Sequence, residues 1–132
     1  MYVRVMRIAG AILLFAIGCI HLFLVLTGTG GILGLMFVLN AIAGIALAIG
    51  MVVLRGRLLM LDTVFGLLFS LASLFALLAA LTIGLFGITE RWTTALVPQT
   101  VAVDAIAVVV LAIASLVVVR AADRTSMVSA RA

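Results

Sequence analysis

Four polar side chains in an otherwise apolar chain have the types and spacing to do chemistry: His21, Asn40, Glu90 and Asp104. An imidazole and two carboxylates can hold a cation or pass a proton, and an amide can orient a ligand through its donor and acceptor atoms. The set completes no catalytic pattern: it offers no activated nucleophile, and no nucleotide, flavin or haem motif accompanies it. Zinc binding by His21, Asp104 and Glu90 would rest on three widely spaced ligands. One histidine gives haem a single axial ligand. No metal or cofactor is therefore assigned.

The elements that must position these groups are four long apolar runs, at about 8–26, 32–54, 61–85 and 100–119 of the 132 residues. A bilayer core ~30 Å thick is crossed by a helix of about 20 apolar residues. Charged residues make up 9% of the chain, where a soluble domain carries ~25%. The chain is thus expected to be an all-α integral membrane protein. Its single domain, 1–132, is a four-transmembrane-helix antiparallel bundle with a polar tail over 120–132. The glycine-rich stretch Thr27 to Gly31 makes a tight turn, Arg55-Gly56-Arg57 a short charged one, and Phe86 to Gln99 a longer connection.

Arginine placement sets the expected orientation, because positively charged loops stay cytoplasmic. Arg4 and Arg7 precede the first span, Arg55 and Arg57 separate the second from the third, and Arg120, Arg124 and Arg131 follow the fourth. Only Arg91 falls on the other side. Both termini are expected in the cytoplasm, with Trp92 an outer and Tyr2 an inner interfacial anchor. All eight basic residues are arginine, a bias that suggests a high-GC bacterium. Their position at span ends argues against nucleic-acid binding despite the basic balance. Ala16-Ile17-Gly18-Cys19 loosely resembles a lipoprotein cleavage box, but the apolar run continues past Cys19, so the first span is expected to stay uncleaved. Cys19 reads as an inert packing residue.

Depth unites the polar groups. A rise of ~1.5 Å per residue puts His21 ~9 Å, Asn40 ~12 Å and Asp104 ~6 Å inside the outer ends of their spans, with Glu90 just above. All four belong to the outer half. Each faces small or polar neighbours: His21 with Gly10, Leu14 and Gly18; Asn40 with Ala43, Gly44 and Leu47; Asp104 with Thr100, Ala107, Leu111 and Ser115. A small hydrated pocket opening outward follows, in which His21 and Asp104 could pair. The plainer alternative is that these groups hydrogen-bond across helices and fix their register, at ~0.6–2 kcal/mol each.

Other polar residues have local explanations. Asp62 is expected to cap the third helix or pair with Arg55 or Arg57 at the surface. Ser70, Ser73 and Thr82 are expected to bond a carbonyl one turn back. Small residues at four-residue spacing, Ala72, Ala76, Ala80 and Gly84, with Gly66 and Ser70 beside them, mark a packing stripe. No internal repeat stands out.

Three segments carry a resemblance: His21-Leu22-Phe23-Leu24, Phe37-Val38-Leu39-Asn40-Ala41 with Gly44, and Gly84 to Trp92 with its Glu90-Arg91-Trp92 end. Together they resemble a family of small, uncharacterised four-span membrane proteins of actinobacteria. The resemblance implies that His21, Asn40, Glu90 and Trp92 sit in recurring motifs, and brings no activity with it. The first functional expectation is a non-enzymatic inner-membrane protein, an accessory or scaffold subunit of an envelope or respiratory assembly. Its partners would be the lipid bilayer, other membrane subunits or a second copy. The second is a protein that binds or transports a small molecule, ion or proton through an outward polar pocket. The third is an enzyme acting on lipid or quinone, for which only His21 and Cys19 could serve.

Overall fold

The computed structural model describes the backbone of residues 1–129 and side chains through residue 121. Arg124 and Arg131 therefore fall outside the described side chains. Among the described residues four helices follow one another: α1 (Tyr2–Leu26), α2 (Gly31–Val53), α3 (Gly56–Thr82) and α4 (Val97–Ser129). All four are long and apolar enough to cross a membrane, α4 over Val97–Ala121. The chain is an all-α, four-helix antiparallel bundle. The start of α1, the end of α4 and the α2–α3 link lie at one end, here called the termini end, and the α1–α2 turn and the α3–α4 connection at the other, here called the cavity end.

The helices extend beyond the apolar runs. α3 begins at Gly56 rather than near Leu61, and α4 continues past Val119 into residues that read as a tail. Charged and polar residues are acceptable helix formers once a hydrophobic neighbour has nucleated the turn. Pro98 sits in the first turn of α4, where its missing N–H costs nothing.

Packing order runs around the square: α1 against α2 and α4, α3 against α4 and α2, with the α1–α3 diagonal touching lightly. The α1–α2 seam brings backbones together. A Cβ at Gly44 would stand 2.9 Å from the Leu14 carbonyl oxygen and 3.0 Å from the Gly18 nitrogen. Only glycine permits that approach. At the centre Leu14, Ile17, Met51 and Leu111 are fully buried. Large apolar side chains such as Phe15, Phe65, Phe75 and Leu116 are exposed on the outside, as a lipid-facing surface requires. On α3 the buried line is Leu59, Thr63, Gly66, Ser70, Ser73 and Ala80, whereas Ala72 of the anticipated stripe faces out. Four-residue spacing drifts around a 3.6-residue helix, so such a stripe leaves the interface after two turns.

Arg7 does more than mark a membrane face. From α1 its Nε donates to the Met51 carbonyl (2.9 Å), and its Nη2 to those of Val52 (2.9 Å) and Leu54 (2.8 Å). These belong to the last turn of α2 and its cap, whose carbonyls have no partner within the helix. The guanidinium thereby ties two helices together and opposes the negative end of the α2 dipole. Arg4, Arg55, Arg57 and Arg120 are exposed at the same end.

The α3–α4 connection is tightly bonded. Leu85 and Ile88 exchange backbone hydrogen bonds of 2.8 Å each across Phe86 and Gly87, both with positive φ. That is the geometry of a tight hairpin turn. The Glu90 N–H donates to the Ala80 carbonyl (2.9 Å), which pins the connection back onto α3. Trp92 is exposed on this connection and Tyr2 at the opposite end of the bundle.

Candidate functional site: a cavity between the helix ends

Register follows from contacts. Leu14 of α1 packs over Gly66 of α3, and seven residues further along these parallel helices stand His21 and Ser73. The Ser73 hydroxyl donates to Asp104 Oδ2 on α4 (2.8 Å). On α2, Ala41 lies against Gly18, and Asn40 is one residue nearer the cavity end. One residue from each helix thus occupies a single transverse layer: His21, Asn40, Ser73 and Asp104.

Above this layer lies a partly open cavity of about 180 Å³. His21, Asn40, Ser73 and Thr100 contribute polar groups from the helices, and Glu90 from the connection. Phe37, Leu77, Leu85 and Phe86 are among the apolar residues that close its sides. At ~30 Å³ per liquid water, the space holds a handful of waters or a small organic head group. Three of the four groups singled out from sequence line this cavity. The fourth, Asp104, is completely buried beneath it.

His21 is 5% exposed. Its Nδ1 lies 2.9 Å from the Ile17 carbonyl oxygen. A carbonyl can only accept, so Nδ1 carries the hydrogen and Nε2 is left as an acceptor in the neutral ring. Phe37 meets the imidazole edge-on at 5.2 Å between centroids, which holds its plane. Asp104 uses Oδ2 for Ser73 and leaves Oδ1 buried without a partner. The free polar functions in and under the cavity are therefore mostly acceptors: His21 Nε2, Asp104 Oδ1 and the half-buried Glu90 carboxylate. Among the described residues no arginine lines the cavity, and the chain has no lysine. Such a site suits a hydrogen-bond donor or a cationic head attached to an apolar body.

Several sequence expectations need correction. His21 does not pair with Asp104: the ring's one N–H goes to the Ile17 carbonyl, and Asp104 accepts from Ser73 instead. Ser73 does not bond its own helix, because a carboxylate on the neighbouring helix is the stronger acceptor. The Ser70 hydroxyl has no partner, whereas Thr82 does bond back, to the Leu78 carbonyl at 2.7 Å. Asp62 neither caps a helix nor meets a surface arginine. With α3 starting at Gly56, it lies nearly two turns inside and is buried against Gly50. Among the described residues no three His, Cys, Asp or Glu side chains are grouped to hold a metal ion. Sequence reasoning misses Ser73 as a site residue. Its signal is its place on the same helical line as Gly66 and Ser70, the line that α3 buries.

Compared with known proteins, the chain matches no family model, no curated protein and no solved structure.

Proposed function

We propose that this multi-pass membrane protein binds a small amphiphilic molecule, with a cationic or hydrogen-bond-donating head, in the cavity between its helix ends. The supporting observation is the layer itself. Four helices each bring one polar residue to the same depth, and apart from the Asn40 amide the functions left unpaired there are acceptors. An acceptor cluster in low-dielectric surroundings favours a donor or a positive charge far more than it would in water. The reading is of a binding protein, not an enzyme. Its resident membrane is the bacterial inner membrane, with termini in the cytoplasm and the cavity outward, on the strength of the arginine distribution. The actinobacterial four-span family is the group we assign it to, on its His21, Asn40 and Glu90-Arg91-Trp92 segments. An accessory-subunit role draws only on exposed apolar helix faces, and lipid already accounts for those.

Binding of hexylammonium and of hexanesulfonate to the purified protein in lipid nanodiscs tests this reading. The ammonium is expected to saturate one site, with the sulfonate excluded. Asp104→Asn and Glu90→Gln should each weaken ammonium binding by about tenfold, the equivalent of one charge-assisted hydrogen bond. Equal partitioning of both amphiphiles, unchanged in the variants, would sink it. Reporter fusions at the two termini check the orientation, which a periplasmic terminus would reverse.

A further inference from the structure

Two buried polar groups take no part in the cavity. Asp62 on α3 is 8% exposed, and its Oδ2 has no hydrogen-bond partner. Ser115 on α4 likewise has a buried Oγ without a partner. Their spacing links them to the layer already described. On α3, Ser73 follows Asp62 by eleven residues, and on α4, Ser115 follows Asp104 by eleven. Eleven residues make about three helical turns, so each aspartate shares a face with its serine. The helices are antiparallel, and the Ser73–Asp104 bond fixes their register. That register brings Asp62 level with Ser115, ~16 Å towards the termini end at 1.5 Å per residue.

The α3–α4 seam thus has a local two-fold character. Each half of the bundle holds one aspartate and one serine at a single level of the seam, with the helices exchanging roles, although the Asp62 carboxyl itself lies against Gly50 of α2. The pair near the cavity is closed at 2.8 Å. In the other pair, Asp62 Oδ2 and Ser115 Oγ are both unengaged. Between the two levels lie Leu14 and Leu111, both fully buried and both packed over Gly66. They form an apolar septum that separates the two carboxyls.

The surroundings of Asp62 indicate what it can hold. Its carboxyl fills the space that Gly50 leaves by lacking a side chain. A Cβ there would overlap Oδ1 and stand 2.9 Å from Oδ2. On this side the carboxyl packs directly against the α2 backbone. From α1, the nearby Arg7 guanidinium is engaged by the carbonyls of Met51, Val52 and Leu54. On α2 the carboxyl lies against Gly50, and on α4 Ser115 stands at its level, with Arg120 exposed nearer the termini end. On α3 itself Thr63 bonds the Leu59 carbonyl (2.7 Å), and Arg55 and Arg57 are exposed. A carboxylate buried without a cation is costly, and a proton is the smallest species that removes the charge.

We propose that Asp62 and Ser115 form a proton-binding pair, the counterpart at the termini end of Asp104 and Ser73. Asp62 takes up a proton on one oxygen and accepts the Ser115 hydroxyl on the other. Only an O–H bond is made or broken. The inner half of the bundle thereby holds a proton site of its own, and this assignment stands apart from the cavity's ligand.

Infrared difference spectra of the protein in lipid, recorded between acidic and alkaline pH, read the carboxyl groups directly. Two carboxylic-acid carbonyl bands are expected from the membrane interior. Asp62→Asn should remove one and Asp104→Asn the other. Ser115→Ala, which keeps the carboxyl and removes its proposed partner, should shift the Asp62 band, as Ser73→Ala shifts that of Asp104. A full complement of bands in Asp62→Asn would overturn the proposal. So would an Asp62 band that Ser115→Ala leaves in place, a test that holds even if Asp62→Asn fails to fold. Loss of hexylammonium binding with these bands intact would count against the cavity reading alone.

Discussion

The two hairpins of this bundle are held by different means. α1 and α2 meet through glycine, with Gly18 and Gly44 allowing the backbones to touch. α3 and α4 meet through polar groups, with Ser73 closed on Asp104 and Asp62 at the level of Ser115. In lipid, where apolar surface drives little association, close packing and hydrogen bonds are the two remaining sources of attraction. The first gives a seam whose close backbone contacts, at Gly18 and Gly44, involve no ionisable group. The second gives a seam whose bonds can open, close and change protonation. The cavity lies where the two meet, with His21 and Asn40 from the glycine hairpin and Ser73, Glu90 and Thr100 from the polar one.

The contrast can be broken from either side. The largest effect is expected at Gly44. Gly44→Leu drives a side chain into the Leu14 and Gly18 backbone, and the loss should reach the ~3 kcal/mol upper range for overpacking. Steric-trap unfolding in bicelles measures it, and an unchanged midpoint would mean that the seam is looser than described. Ser73→Ala comes next. It leaves both oxygens of Asp104 without a partner, at a cost of about 1–2 kcal/mol. A double-mutant cycle with Asp104→Leu, which removes the acceptor, should return a coupling of about that size, and additivity would show the bond to be idle. Arg7→Met keeps the stem and removes the donors to three α2 carbonyls, so about 1 kcal/mol is expected, seen first as fraying of the α2 end in hydrogen exchange. Thr82→Val should change stability by less than ~0.5 kcal/mol, because its hydroxyl serves only its own helix.

Much of this architecture is legible in the amino-acid order alone. Four apolar stretches of spanning length leave one fold class, and constant helical rise turns residue number into depth. That is why His21 and Asn40 fall together in one half of the bundle with Asp104. Partner choice is not legible in the same way. A serine can bond its own helix or its neighbour, and only the neighbour's register decides, which is why Ser73 and Ser70 depart from expectation. Asp62 reads as a surface residue because the apolar run begins at Leu61, whereas the helix begins at Gly56. A span boundary marks where hydropathy changes, and a helix boundary where hydrogen bonding stops. Arg7 carries a charge signal that hides its hydrogen-bonding role, since the α2 carbonyls it serves lie more than forty residues away.

The chain contains a single histidine, so its imidazole nitrogens give an NMR spectrum that needs no assignment. Nitrogen-15 spectra of the protein in nanodiscs, titrated with hexylammonium, test the donor-binding layer at its centre. Nε2 should shift as the ammonium donates to it, while Nδ1, held by the Ile17 carbonyl, stays in place. An Nε2 resonance that does not move at saturating ammonium would contradict the account.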